Sequence, residues 1–162
     1  MREEKVIASL MRVAAFAGLT PAQFAAMARH AEKLKFLRGD ILTRAGKPGD
    51  GAIVIVAGPA ERVEGPSLDA QGEALPPGSL IGEMAMFIEH DYTSTVIARD
   101  WVFCFKITRA AMHAQMLEDP SLAEHFQRRV TERLTKLAEE LRRIDSLLAA
   151  QCTPQARVAP TL

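Results

Sequence analysis

The chain has 162 residues, with 20 basic and 20 acidic side chains in balance, so no overall field draws it to nucleic acid or to an anionic membrane. That length supports one domain with a real core and falls short of two comfortable ones. No apolar run reaches a membrane span, MREEKVIASL lacks the layout of a secretion signal, and Cys104 and Cys152 are too few for a disulfide framework or zinc cluster; a reducing cytoplasm is expected.

Residues 3 to 17 carry Val6, Ile7, Leu10, Met11 and Ala14 at helical spacing, and Gly18 stops that predicted helix. A second helix starts at Thr20, with Pro21 at its first position and Gln23 placed to close a capping box. Phe24, Met27, Ala28 and Ala31 carry it to about Glu32. Glycine and proline turn signals then alternate with short apolar runs: Ile41-Leu42, Ile53 to Ala57, Leu80-Ile81, Thr95 to Ala98 and Val102 to Ile107. That spacing predicts a small antiparallel barrel or jelly roll, with Pro59 at an edge or bulge. Cys104 falls in the last run and is expected to be buried; Cys152 reads as an idle tail thiol.

Thr108 can cap a short helix running to about Leu117, and Asp119-Pro120 opens a long one. Val130, Leu134, Leu137, Leu141, Ile144 and Leu148 follow at steps of four and three, a heptad seam flanked by charges of both signs. The seam can pack on the chain's own barrel or on a second copy, and self-association is favoured. The segment after it holds two prolines and no periodicity and is expected to be disordered. The four histidines have no metal-ligand spacing, no nucleophile–base pair or phosphate-loop lysine motif stands out, and an enzyme is not expected.

One stretch carries more chemistry than the rest: Ile81-Gly82-Glu83-Met84-Ala85-Met86-Phe87, followed by Ser94-Thr95-Val96. A glycine allows close backbone approach, and the start of a helical turn offers amide N–H groups to an anion. A glutamate there repels phosphate but can accept from a hydroxyl such as that of a ribose.

Together with Phe16-x-Gly18-Leu19, Phe36-x-x-Gly39-Asp40-Ile41-Leu42, Gly46-x-x-Gly49-Asp50, Gly58 and Pro77-Gly78, this stretch resembles the cyclic-nucleotide-binding domain family, the sensor module of catabolite activator proteins, over about Phe16 to Leu148. The resemblance implies an α+β fold, an antiparallel β-barrel or jelly roll flanked by N-terminal helices and a long C-terminal helix. It implies a single domain over 1–150 (helices 1–33, barrel 34–107, helices 108–150) and a tail over 151–162. It implies a cytoplasmic regulatory module that takes a cyclic nucleotide, cAMP or cGMP, with no other cofactor and no metal. Glu83 would take the ribose 2′-OH, and Gly82, Met84 and Ala85 would face ribose and phosphate. The family places an arginine before the final small-residue run to pair with the phosphate; here Tyr92 stands there, with Asp91 before it and the neutral donors Thr93 and Ser94 after it. Tyr92 can contact ligand, plug an emptied pocket, or pack at the loop base. The expected partners are a second copy through the long helix and an unidentified downstream protein, without DNA or membrane. The alternatives are a non-binding dimerisation or interaction module, and a binder of another phosphate ligand.

Overall fold

Two four-stranded antiparallel sheets enclose an apolar interior, in a computed structural model that describes residues 2–152. Glu32–Phe36 (β1), Ile41–Thr43 (β2), Pro48–Gly49 (β3), Gly51–Ala57 (β4), Ala60–Val63 (β5), Glu73–Leu75 (β6), Leu80–Ile81 (β7), His90–Asp91 (β8), Thr95–Ala98 (β9) and Val102–Thr108 (β10) are the strands. One sheet runs β1-β10-β4-β7 and the other β2-β9-β5-β6, while β3 and β8 form a separate two-stranded ladder. Leu42, Ile53, Ile55, Ala60, Leu75, Ile81, Val96, Ala98, Val102 and Cys104 form the core between the sheets. They come from both sheets and follow the period of two that points alternate side chains inward. This is the expected jelly-roll class.

The helices are Glu3–Leu10 (α1), Pro21–His30 (α2), Arg109–Glu118 (α3) and Pro120–Gln151 (α4). Thr20 accepts from the Gln23 amide at 3.3 Å and the Gln23 side chain takes the Thr20 amide at 2.9 Å, the predicted capping box. Thr108 caps α3 through the Ala111 amide, and Asp119 accepts from the Ser121 and Leu122 amides at the start of α4. α1 packs on α2 and β4, α2 on α3, and α3 on β10. The buried Phe105 and Ile107 of β10 point away from the core between the sheets.

Three expectations are corrected. The first helix does not run to residue 17: it ends at Leu10, tight turns follow, and Ala14–Phe16 is a separate 3₁₀ turn. Val13, extended at φ −76° and ψ 117°, breaks the run while its side chain is buried; β-branched residues favour that backbone. The barrel begins earlier than residue 34, at Glu32, because Leu34 and Phe36 pack on the core while Lys33 and Lys35 stay outside. Pro59 lies in the turn between β4 and β5, and the register shift of the β4–β10 pair falls at Phe103/Cys104, opposite the end of β4.

The chain separates into two compact units, one ending at Leu122 and one beginning at Ala123. In the second, the α4 seam is exposed, with Leu134, Leu137, Leu141, Ile144 and Leu148 between 49% and 64% accessible. Gln151 closes α4 and Cys152 is an exposed turn residue; the rest of the predicted tail lies outside the described residues. No described helix is long and apolar enough to cross a membrane.

Candidate functional site

β7 ends in Ile81, whose side chain fills the core, so the chain leaves the sheet at Gly82. Gly82 adopts φ +71° and ψ 38°, the left-handed region that a Cβ disfavours. This reversal starts a 3₁₀ turn over Glu83–Met86, closed by the Ala85 amide on the Gly82 carbonyl at 3.0 Å. Ala85 and Met86 are buried and anchor the turn, whereas Gly82, Glu83 and Met84 are partly exposed.

Tyr92 meets this turn from the other side. Its amide donates to the Lys47 carbonyl at 2.9 Å and its carbonyl accepts from the Gly46 amide at 2.8 Å, which fixes its backbone at the end of the β3–β8 ladder. The half-buried ring then lies across two glycines. A Cβ built on Gly82 would stand 2.5 Å from the ring, and one on Gly49 would stand 3.0 Å from it. The phenol donates to the Gly51 carbonyl at 2.9 Å. Burial raises its pKa above the usual tyrosine value, the Lys106 charge lowers it to a lesser extent, and the Asp50 charge adds a smaller rise.

The basic side chains around this wall already have partners. Arg109 Nη1 donates to the carbonyls of Gly49, Ala85 and Ile88 at 3.0, 3.1 and 3.0 Å, tying ladder and turn to the start of α3. His113, one turn on, donates from Nε2 to the Phe87 carbonyl at 2.6 Å. Lys106 pairs with Asp50 at 2.6 Å. Arg99 points elsewhere: it bonds Glu61 at 2.8 Å and the carbonyls of Leu68 and Ala70, holding the loop between β5 and β6.

Tyr92 and Thr93 border an open cleft of about 790 Å³ with Pro48, Gly49, Glu89, His90, Asp91 and Arg109. Gly82 to Ala85 do not line that cleft, so the predicted site residues fall into two groups with the Tyr92 ring between them. Ser94 is half-buried, and its carbonyl accepts from the Thr43 hydroxyl at 3.0 Å. Two carboxylates face one guanidinium in the cleft, an unfavourable balance for a bare phosphate. Gly49, Gly51, Arg109 and His113 were not among the predicted site residues. Gly49 was visible as part of the Gly46-x-x-Gly49-Asp50 motif, but nothing in α3 marked Arg109 or His113 as partners of backbone carbonyls 20 or more residues away.

Comparison with known proteins places the fold and the family. The sequence profile described as "Cyclic nucleotide-binding domain" matches residues 33–119. The chain is 24% identical over 135 residues to a "CRP-like cAMP-activated global transcriptional regulator" of Mycobacterium tuberculosis, in two strains. That match takes in 82% of this chain but 60% of the relative, so the chain spans well under the relative's full length. Among solved structures, the N-terminal domain of a transcriptional regulator from Streptomyces coelicolor A3(2) superposes with a TM-score of 0.70 at 27% identity, over 82% of this chain and 94% of that one. A cyclic nucleotide-binding-like protein from Brucella abortus gives 0.58 at 29% identity, over 70% of this chain and 98% of that one. With more than half of its length matched and the glycine-led turn set at the end of β7, this chain belongs to the cyclic nucleotide-binding domain family.

Proposed function

We propose that the chain is a non-catalytic, cytoplasmic sensor module that takes a cyclic purine nucleotide, cAMP or cGMP, at the Gly82–Ala85 turn. The left-handed Gly82 opening a turn on Glu83, inside the family match, carries this reading. Glu83 accepts from the ribose hydroxyl, Gly82 and the Met84 and Ala85 backbone lie along ribose and phosphate, and Thr93 and Ser94 offer only neutral groups. A hydroxyl in place of a forked guanidinium forfeits about 1.5–3 kcal/mol, or about tenfold to a hundredfold in affinity. Occupancy of the turn is passed to α3 through the carbonyls held by Arg109 and His113, and α3 leads through Asp119 into α4. Such a relay works only if ligand binds two arrangements of the helix with different affinity. The exposed α4 seam favours a second copy as partner, with a further protein reading the state.

A second reading, a closed interaction module without a nucleotide, is favoured by one observation: the Tyr92 ring covers Gly82 and its hydroxyl is committed to Gly51. Calorimetric titration with cAMP and cGMP separates the two. The sensor reading expects weak saturable binding that Tyr92→Arg tightens by about tenfold to a hundredfold. Absence of both heat and thermal shift at millimolar nucleotide would leave the closed module standing.

A further inference from the structure

The proposal concerns how that same site is regulated, and it rests on the cyclic-nucleotide reading. Tyr92 is anchored by its backbone and only lightly by its side chain. Two ladder hydrogen bonds fix the main chain on either side of it. The ring is held through its hydroxyl alone, which donates to the Gly51 carbonyl and also meets the Asp50 backbone, and it rests on the bare Cα atoms of Gly49 and Gly82. It is half-buried, and beside it opens a cleft of about 790 Å³ that it helps to line, with far more room than a phenol needs. The residue thus borders both the turn and the cleft, while hydrogen bonds hold its main chain.

We propose that Tyr92 is a displaceable plug. The ring covers the floor of the turn when the site is empty and swings into the cleft beside Thr93 and Arg109 when a cyclic nucleotide enters. Position 92 then gates the ligand rather than anchoring it. The floor it uncovers is built of Gly49 and Gly82, beside the Gly51 carbonyl. A Cβ at Gly49 or Gly82 would meet the Tyr92 ring, and one at Gly51 would strike the Ile107 carbonyl. Residues without side chains let a ligand approach the backbone closely. Because only the plug-out fraction is competent, the apparent dissociation constant is the intrinsic one divided by that fraction. Removing the ring removes that penalty.

Tyr92 is the chain's single tyrosine, so 3-fluorotyrosine labelling gives one ¹⁹F resonance that reports this ring alone. The full chain, titrated with cAMP and cGMP, is expected to shift that resonance to a solvent-exposed position as the site fills. Calorimetry in parallel is expected to give Tyr92→Ala roughly tenfold tighter binding and Tyr92→Phe a smaller gain, since the latter loses only the bonds of the hydroxyl to the Asp50–Gly51 backbone. The plug is overturned if the wild type binds, its resonance stays put at saturation, and Tyr92→Ala and Tyr92→Phe bind equally or more weakly. If neither wild type nor Tyr92→Ala binds at millimolar nucleotide, the cyclic-nucleotide reading itself falls and takes the plug with it. The labelled wild type needs no substitution, so the test survives a variant that fails to fold.

Discussion

The barrel interior and the wall around Gly82 are parts of one β-structure built on opposite rules. The interior is made of side chains: ten buried residues from both sheets fill it. The wall is made of their absence, with two glycines, Gly49 and Gly82, giving the space that one tyrosine ring occupies. Deleting atoms should harm the first and adding them should harm the second. A site that must exchange a side chain for a ligand needs the second kind of construction, because bare backbone tolerates either occupant.

The largest effect separating the two is expected in the interior. Ile55 is fully buried in the cluster, so Ile55→Ala should cost about 2–5 kcal/mol, from lost burial and the cavity left behind. Denaturant unfolding would measure it, and a loss below about 1 kcal/mol would mean that the interior is not close-packed. At the wall the sign reverses. Gly82→Ala adds one methyl yet should cost about 2–4 kcal/mol, combining a left-handed backbone with crowding against Tyr92. Adding Tyr92→Ala to that variant should recover the crowding share, about 1 kcal/mol, leaving the backbone share in place. Strict additivity of the two changes would show that the ring and Gly82 do not press on each other.

The same contrast explains what was legible beforehand. Interior strands announce themselves as short apolar runs between turn signals: Ile53 to Ala57, Thr95 to Ala98 and Val102 to Ile107 are readable because strands buried over most of their length require apolar residues. The caps at Thr20, Thr108 and Asp119 were readable because hydroxyls and carboxylates at helix starts have one main use. β1 was harder, since EKLKF sends only Leu34 and Phe36 to the core. The buried Cys104 was anticipated, and burial pushes its thiol up to about 12, which leaves it inert. At the wall, Gly82 and Tyr92 could be singled out, but not their contact. Whether a ring at position 92 faces the turn, the cleft or solvent depends on a rotamer and on glycines 43 and 10 residues away, which no local pattern encodes. Arg99 is instructive in the same way. This cation follows β9 directly, and it is committed to the β5–β6 loop of the same sheet.

That Arg99 clamp supplies the smallest test of the comparison, because it is a third kind of construction, a loop held by charge. Glu61 accepts from Arg99 at 2.8 Å and from the Gly72 amide at 3.3 Å, while Arg99 also reaches the Leu68 and Ala70 carbonyls. The Arg99 hydrogen bond, followed by that of Gly72, holds the Glu61 carboxyl below its ordinary range. A carboxyl depressed by folding adds stability that is complete above its unfolded pKa, near 4.3, and is lost as pH falls through the lower folded value. Both side chains remain about a quarter exposed, so solvent screens the pair and the global effect should be slight. The local effect should still be readable. On acidification below pH ~4 the Gly72 amide should lose hydrogen-exchange protection before the Val54 and Ile55 amides of β4 do, and Arg99→Gln should abolish that early step at any pH by leaving the loop open from the start. Gly72 protection that falls only together with that of β4 would mean the loop is held by the sheet and that the ion pair merely decorates it.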